Sequence, residues 1–139
     1  FDEAMASYRR ALATRPDYVE ATNNLGLALR EIAMNANLRT LPPVIPQPMD
    51  KAIINYRKAL DLQPNYPDAN YNLANALQDI GLLEESGSRY CSAVNARTTF
   101  AEAWSNFSSV LKALQFLKGG DTKELSILIS VIGTLRDRS

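Results

Sequence analysis

MDKAIINYRKALDLQPNYPDANYNLANALQDIG, running from Met49 to Gly81, decides how the rest of this chain is read. Its first half places Ala52, Tyr56 and Ala59 three to four residues apart, so they share one face of a helix that must end before Pro64. After the turn, Pro67, Asn70, Leu73, Ala74 and Leu77 repeat the helical spacing. Gly81 then supplies the residue best able to leave a helix with positive φ. The unit is helix, turn, helix.

The same grammar recurs at fixed distance. Tyr56 to Tyr90, Ala59 to Ala93 and Leu73 to Phe107 are each 34 residues apart. In the other direction Tyr8 to Tyr56, Pro16 to Pro64 and Leu25 to Leu73 are each 48, which places 14 extra residues between Leu25 and Tyr56. Small residues keep the register: Gly26, Ala74 and Ser108 are equivalent, as are Ala4, Ala52 and Ser86, where close helix approach leaves no room for bulk. Helices are expected over residues 2–14, 18–33, 49–63, 67–80, 84–96, 101–117 and 122–136. Asp17 with Glu20, and Thr99 with Glu102, have the spacing of capping boxes that would open two of them. A 34-residue period in helix pairs identifies the chain as a member of the tetratricopeptide repeat family. That resemblance implies an all-α solenoid, a right-handed superhelix of antiparallel helix pairs. About two and a half repeats are expected, because Phe1, Ala4, Tyr8 and Ala11 match a second helix whose partner would precede residue 1, as in a piece of a longer array.

The array is expected over residues 1–117, interrupted by a proline-rich insertion at 34–48. There Pro42, Pro43, Pro46 and Pro48 fall within seven positions and forbid regular helix. Such a loop is tolerated, because closure entropy grows only logarithmically and costs on the order of 1 kcal/mol. Residues 118–139 lack the small-aromatic-small spacing and read as a C-terminal capping helix bearing Leu125, Leu128, Ile129, Ile132 and Leu135, with a strand at LSILISVI the alternative.

Composition narrows function by exclusion. Fifteen basic and fifteen acidic residues among 139 cancel, so no net field draws a nucleic-acid backbone or an anionic membrane. There is no histidine and one cysteine, Cys91, which removes the commonest general base and metal ligand and any internal disulfide. The longest apolar run, near Leu125 to Ile132, falls short of the roughly 18 residues that span a bilayer. With no secretory leader visible, an intracellular location, cytoplasmic or nuclear, is expected. No nucleophile and base are paired and no glycine-rich phosphate loop is present, so neither catalytic nor metal-binding residues nor a cofactor are expected.

One polar series remains. Asn24, Asn72 and Asn106 occupy one repeat position, and Asn75 lies a turn beyond Asn72. First helices of stacked pairs line the concave side, so these amides are expected to face the groove and hold the backbone of a protein or extended peptide. The bland alternative is that Asn is an ordinary solvated residue there. AIINYRKALDLQPNYPDANYNLANAL from Ala52 and FAEAWSNFSSVL from Phe100 also resemble the superhelical region of the protein O-GlcNAc transferases. The resemblance implies a substrate-recruiting segment of a parent enzyme that uses UDP-GlcNAc, with no transferase domain in this chain. A generic scaffold binding a folded partner is the rival. The carboxylate clamp of co-chaperone repeats fits poorly: the matching positions are Asn23, Leu27, Asn72, Glu102 and Asn106, of which only Asn72 agrees, and Glu102 would repel the ligand.

Overall fold

Helices of 13 to 19 residues are marginal alone in water, so each repeat helix is held by the neighbours that cover its apolar stripe. The computed structural model describes residues 2–37, 47–118, 129–130 and 133–134. It contains α1 (Asp2–Thr14), α2 (Val19–Asn37), α3 (Gln47–Leu62), α4 (Pro67–Asp79), α5 (Leu83–Ala96) and α6 (Ala101–Leu117), with no strand among the described residues. Each helix packs on the next in sequence, and α2 also touches α4, so first helices of successive units lie side by side.

Three equivalent turns join a second helix to the next first helix, and they are built alike. The N–H groups of Tyr18, Tyr66 and Phe100 donate to the carbonyls of Arg15, Gln63 and Arg97, each at 3.1 Å. From inside the following helix, Asn70 Nδ2 donates to the Pro64 carbonyl at 3.2 Å, and Trp104 Nε1 to the Thr98 carbonyl at 2.8 Å. Trp104 therefore fixes the turn where proline is missing. The expected Thr99 cap does not form: Phe100 is the N-cap of α6, and no side chain bonds the helix end. Helix α2 likewise opens one residue later than the Asp17 spacing suggested, with Tyr18 just before it.

The core runs through the stack in two linked clusters, Met5 to Leu77 across α1–α4 and Ala74 to Leu111 across α4–α6. Tyr56 and Tyr90, at the same repeat position, are the largest fully buried side chains. Gly26 shows why small residues recur: a Cβ there would sit 2.6 Å from Tyr56 Cε1. Gly81 ends α4 at φ +84°, its N–H bonding the Gln78 carbonyl at 3.1 Å while Leu82 N–H reaches back to Leu77 at 2.9 Å. Those two bonds satisfy carbonyls that a helix end otherwise leaves unpaired.

Helices continue into the insertion from both sides. α2 runs to Asn37 because no Gly or Pro intervenes after Ala33, and Pro48 lies in the first turn of α3, where its missing N–H costs nothing. The rest of the insertion lies outside the described residues. So does most of the expected cap; residues 129–130 and 133–134 are helical, and Ile129 packs against the second core cluster.

Candidate functional site

The first helices α2, α4 and α6 bring their exposed stripes to one cleft of about 420 Å³. From α2 come Glu20, Asn23, Asn24 and Leu27; from α4 and the residue before it, Tyr66, Asp68, Tyr71 and Asn72. The turn before α6 adds Arg97 and Phe100, and its first turn adds Glu102. Of the residues singled out by sequence, Asn24 and Asn72 line this cleft together, whereas Asn75 and Asn106 are not part of its lining.

The shared register of the asparagines has a structural consequence that spacing alone did not reveal. Asn72 Nδ2 donates to Asn23 Oδ1 at 3.0 Å, and Asn106 Nδ2 lies 3.4 Å from Tyr71 Oη. In both cases the amide reaches the residue just ahead of the equivalent asparagine in the preceding unit. The series thus stitches one repeat to the next. Asn106 Nδ2 is also 3.2 Å from Asn75 Oδ1, and the Tyr90 hydroxyl has the Asn75 and Gln78 side-chain oxygens in reach, the latter at 2.9 Å, as acceptors for its single proton. Asn75 and Asn106 are therefore engaged in a polar brace across α4, α5 and α6. Asn24, half-buried, has no side-chain hydrogen bond among the described residues.

Asn23 is 3% exposed and Asn72 7%, yet both reach the cleft. Each has one group left over: Asn23 Nδ2 and Asn72 Oδ1 bond no protein atom among the described residues. Neither is among the buried polar atoms without a partner, so both groups open to the cleft, where water or a ligand can bond them. Beside them Tyr71 and Phe100 form an aromatic wall, their ring centroids 4.6 Å apart and tilted by 49°. Arg97 closes one side, its guanidinium 5.1 Å from the Phe100 centroid and 3.1 Å from Asp68 Oδ1. The cleft holds three carboxylates against this one guanidinium. Burial, then the carboxylates of Asp68 and Glu20, raise the Tyr66 phenol above its ordinary value.

The sequence reading missed this wall and the role of Asn23. The signal was present: Tyr18, Tyr66 and Phe100 are equivalent, as are Glu20, Asp68 and Glu102. Among the described residues no three His, Cys, Asp or Glu side chains are grouped to hold a metal ion, and no helix is long and apolar enough to cross a membrane.

Comparison with known proteins agrees with this geometry. A family model described as TPR repeat matches residues 1–31 and 49–81, a little under half of the chain, leaving out 32–48 and 82–139. The chain is a tetratricopeptide-repeat solenoid. Similar solved structures include one of MamA at 22% identity and TM-score 0.65, covering 82% of this chain and 58% of that one. A second, MamA AMB-1, has 16% identity and TM-score 0.65 over 99% of this chain and 63% of its own. A third MamA crystal structure gives 20% identity and TM-score 0.64 over 99% and 76%. At these identities the likeness is one of fold, and the TPR chain spans less than two thirds of the first two relatives. No curated protein matches the sequence.

Proposed function

We propose that this TPR chain is a protein-binding module without catalytic activity of its own, and that its concave groove holds an extended segment of a partner protein. The observation that carries the reading is the Asn23–Asn72 pair, more than nine-tenths buried with a donor and an acceptor left over in the cleft. A donor and an acceptor side by side match the C=O and N–H of an extended backbone without selecting its side chains. Asn24 adds a third amide on the same helix. Asn75 and Asn106 serve the groove by holding Tyr71 and Tyr90 in place.

Calorimetric titration with unstructured peptides tests this. Replacing Asn24 by Ala should weaken binding by about 0.5–1.5 kcal/mol and leave folding unchanged, because its amide is not committed within the protein. Replacing Asn24 and Asn72 together should weaken it by roughly 1–3 kcal/mol, and also cost stability by removing the Asn72–Asn23 stitch between repeats. Affinities equal to wild type in both variants would return the asparagines to a purely structural role and favour a scaffold that docks a folded partner.

The likeness of Ala52–Leu77 and Phe100–Leu111 to O-GlcNAc transferase superhelices supports a finer reading, in which the chain recruits substrates for a glycosyltransferase. The isolated chain should then transfer nothing from UDP-GlcNAc. The polypeptide that contains it should carry a transferase domain, and a parent gene without one would remove the finer reading while leaving the module.

A further inference from the structure

We propose that the cleft has a side-chain subsite selective for a cationic residue, so that the extended segment it takes is basic, with a Lys or Arg seated against the Tyr71–Phe100 wall between Asp68, Glu102 and Glu20. The inference rests on the peptide-binding reading above and adds the chemistry of the ligand.

Three independent features converge on it. The wall is aromatic, and an aromatic face attracts a cation through its quadrupole, most strongly where water is partly excluded. Arg97 already uses one face in this way at Phe100, while Tyr71, tilted against Phe100 and Tyr90, is fixed within the cleft by its own packing. The charges are unbalanced: Arg97 engages Asp68 at 3.1 Å, and Glu20 and Glu102 have no ion pair among the described residues. Finally, the leftover amide groups of Asn23 and Asn72 lie in the same cleft, so a segment anchored there by its backbone is carried past the wall.

Other occupants fit less well. A metal ion needs grouped ligands, and the three carboxylates are spread over the starts of three different helices without forming such a group. An acidic segment would meet Glu20 and Glu102 uncompensated. First-turn acids also favour helix N-termini, which accounts for their presence on each helix but not for the aromatic wall and buried amides that they surround.

The experiment uses the full chain and short unstructured peptides of Gly, Ser and Ala that differ only in carrying paired Arg, paired Gln or paired Glu, with binding followed by fluorescence anisotropy. The Arg peptide should bind tightest and the Glu peptide weakest. Glu20→Gln and Glu102→Gln should each weaken the Arg peptide by roughly twofold to fivefold and leave the Gln peptide unaffected. Both positions are exposed, so the variants should keep the wild-type helical signal. Tyr71→Leu should remove the preference for Arg over Gln, whereas Tyr71→Phe should retain it. Equal binding of all three peptides would overturn the cationic subsite and leave the groove reading standing. Binding of none would overturn both.

Discussion

Tyr56 and Tyr90 occupy one repeat position, yet losing the hydroxyl should have opposite effects at the two sites. Both rings are fully buried. The Tyr90 hydroxyl has Asn75 and Gln78 oxygens in reach, whereas the Tyr56 hydroxyl is buried with no partner. The cause lies 48 residues upstream: the residue equivalent to Asn75 is Leu27, and the residue equivalent to Gln78 is Arg30, which bonds Asp79 at 2.7 Å instead. An unsatisfied buried polar group costs about 1–3 kcal/mol, so Tyr56→Phe should stabilise by up to that amount. Tyr90→Phe should destabilise by about 0.5–1.5 kcal/mol, the smaller figure being favoured because Asn75 Oδ1 still accepts from Asn106. Urea unfolding followed by circular dichroism reads both, with unchanged m-values required for the comparison. Leu27→Asn completes the cycle: by giving Tyr56 the partner that Tyr90 has, it should turn Tyr56→Phe from stabilising to destabilising. Equal destabilisation by Tyr56→Phe and Tyr90→Phe would refute the assignment of these hydroxyls.

Other outcomes follow from the same packing. Gly26→Ala should fail to give the roughly 1 kcal/mol gain usual for Gly to Ala in a helix, because the new Cβ meets the Tyr56 ring; the clash, about 1–3 kcal/mol, cancels or exceeds it, and a raised melting temperature would contradict this. Gly81→Ala places a side chain at φ +84° and should cost about 1–2 kcal/mol in the same unfolding assay. Burial pushes the Tyr90 phenol up to about 12 and raises Tyr56 further still. Since these pKa values are raised in the folded chain, that stability is intact below pH 10, about the ordinary phenol value, and is lost as pH rises through 10 towards 12, where the unfolded chain releases its phenolic protons first. Phenolate absorbance should therefore show Tyr90 and Tyr56 ionising together with loss of the helical signal, and ionisation of both in a fully folded chain would count against their burial.

Repeat arithmetic made much of this fold legible. The spacing of Tyr56 and Tyr90, the small residue at Gly26 and the exit at Gly81 all depend on position around one helix, which sequence period encodes directly. Helix limits were less legible near the insertion, because Met34 to Asn37 carry no stop signal and Pro48 is harmless in a first turn. The Thr99 spacing points to an N-cap that does not form, and Trp104 holds that turn from inside the helix instead. In the cleft the limit was different in kind. Asn72 and Asn106 share a register, but what each amide touches depends on the preceding unit, and there Asn23 and Tyr71 differ. Partners across a repeat interface have no period of their own.

The central claim is that a ligand segment lies in the cleft between α2, α4 and α6, and backbone amide chemical shifts on titrating a peptide test it most directly. The account predicts that perturbations gather at Asn23, Asn24, Tyr71, Asn72 and Glu102, with little change along the exposed residues of α1, α3 and α5. Perturbations confined to α1, α3 and α5, with the cleft silent, would contradict it.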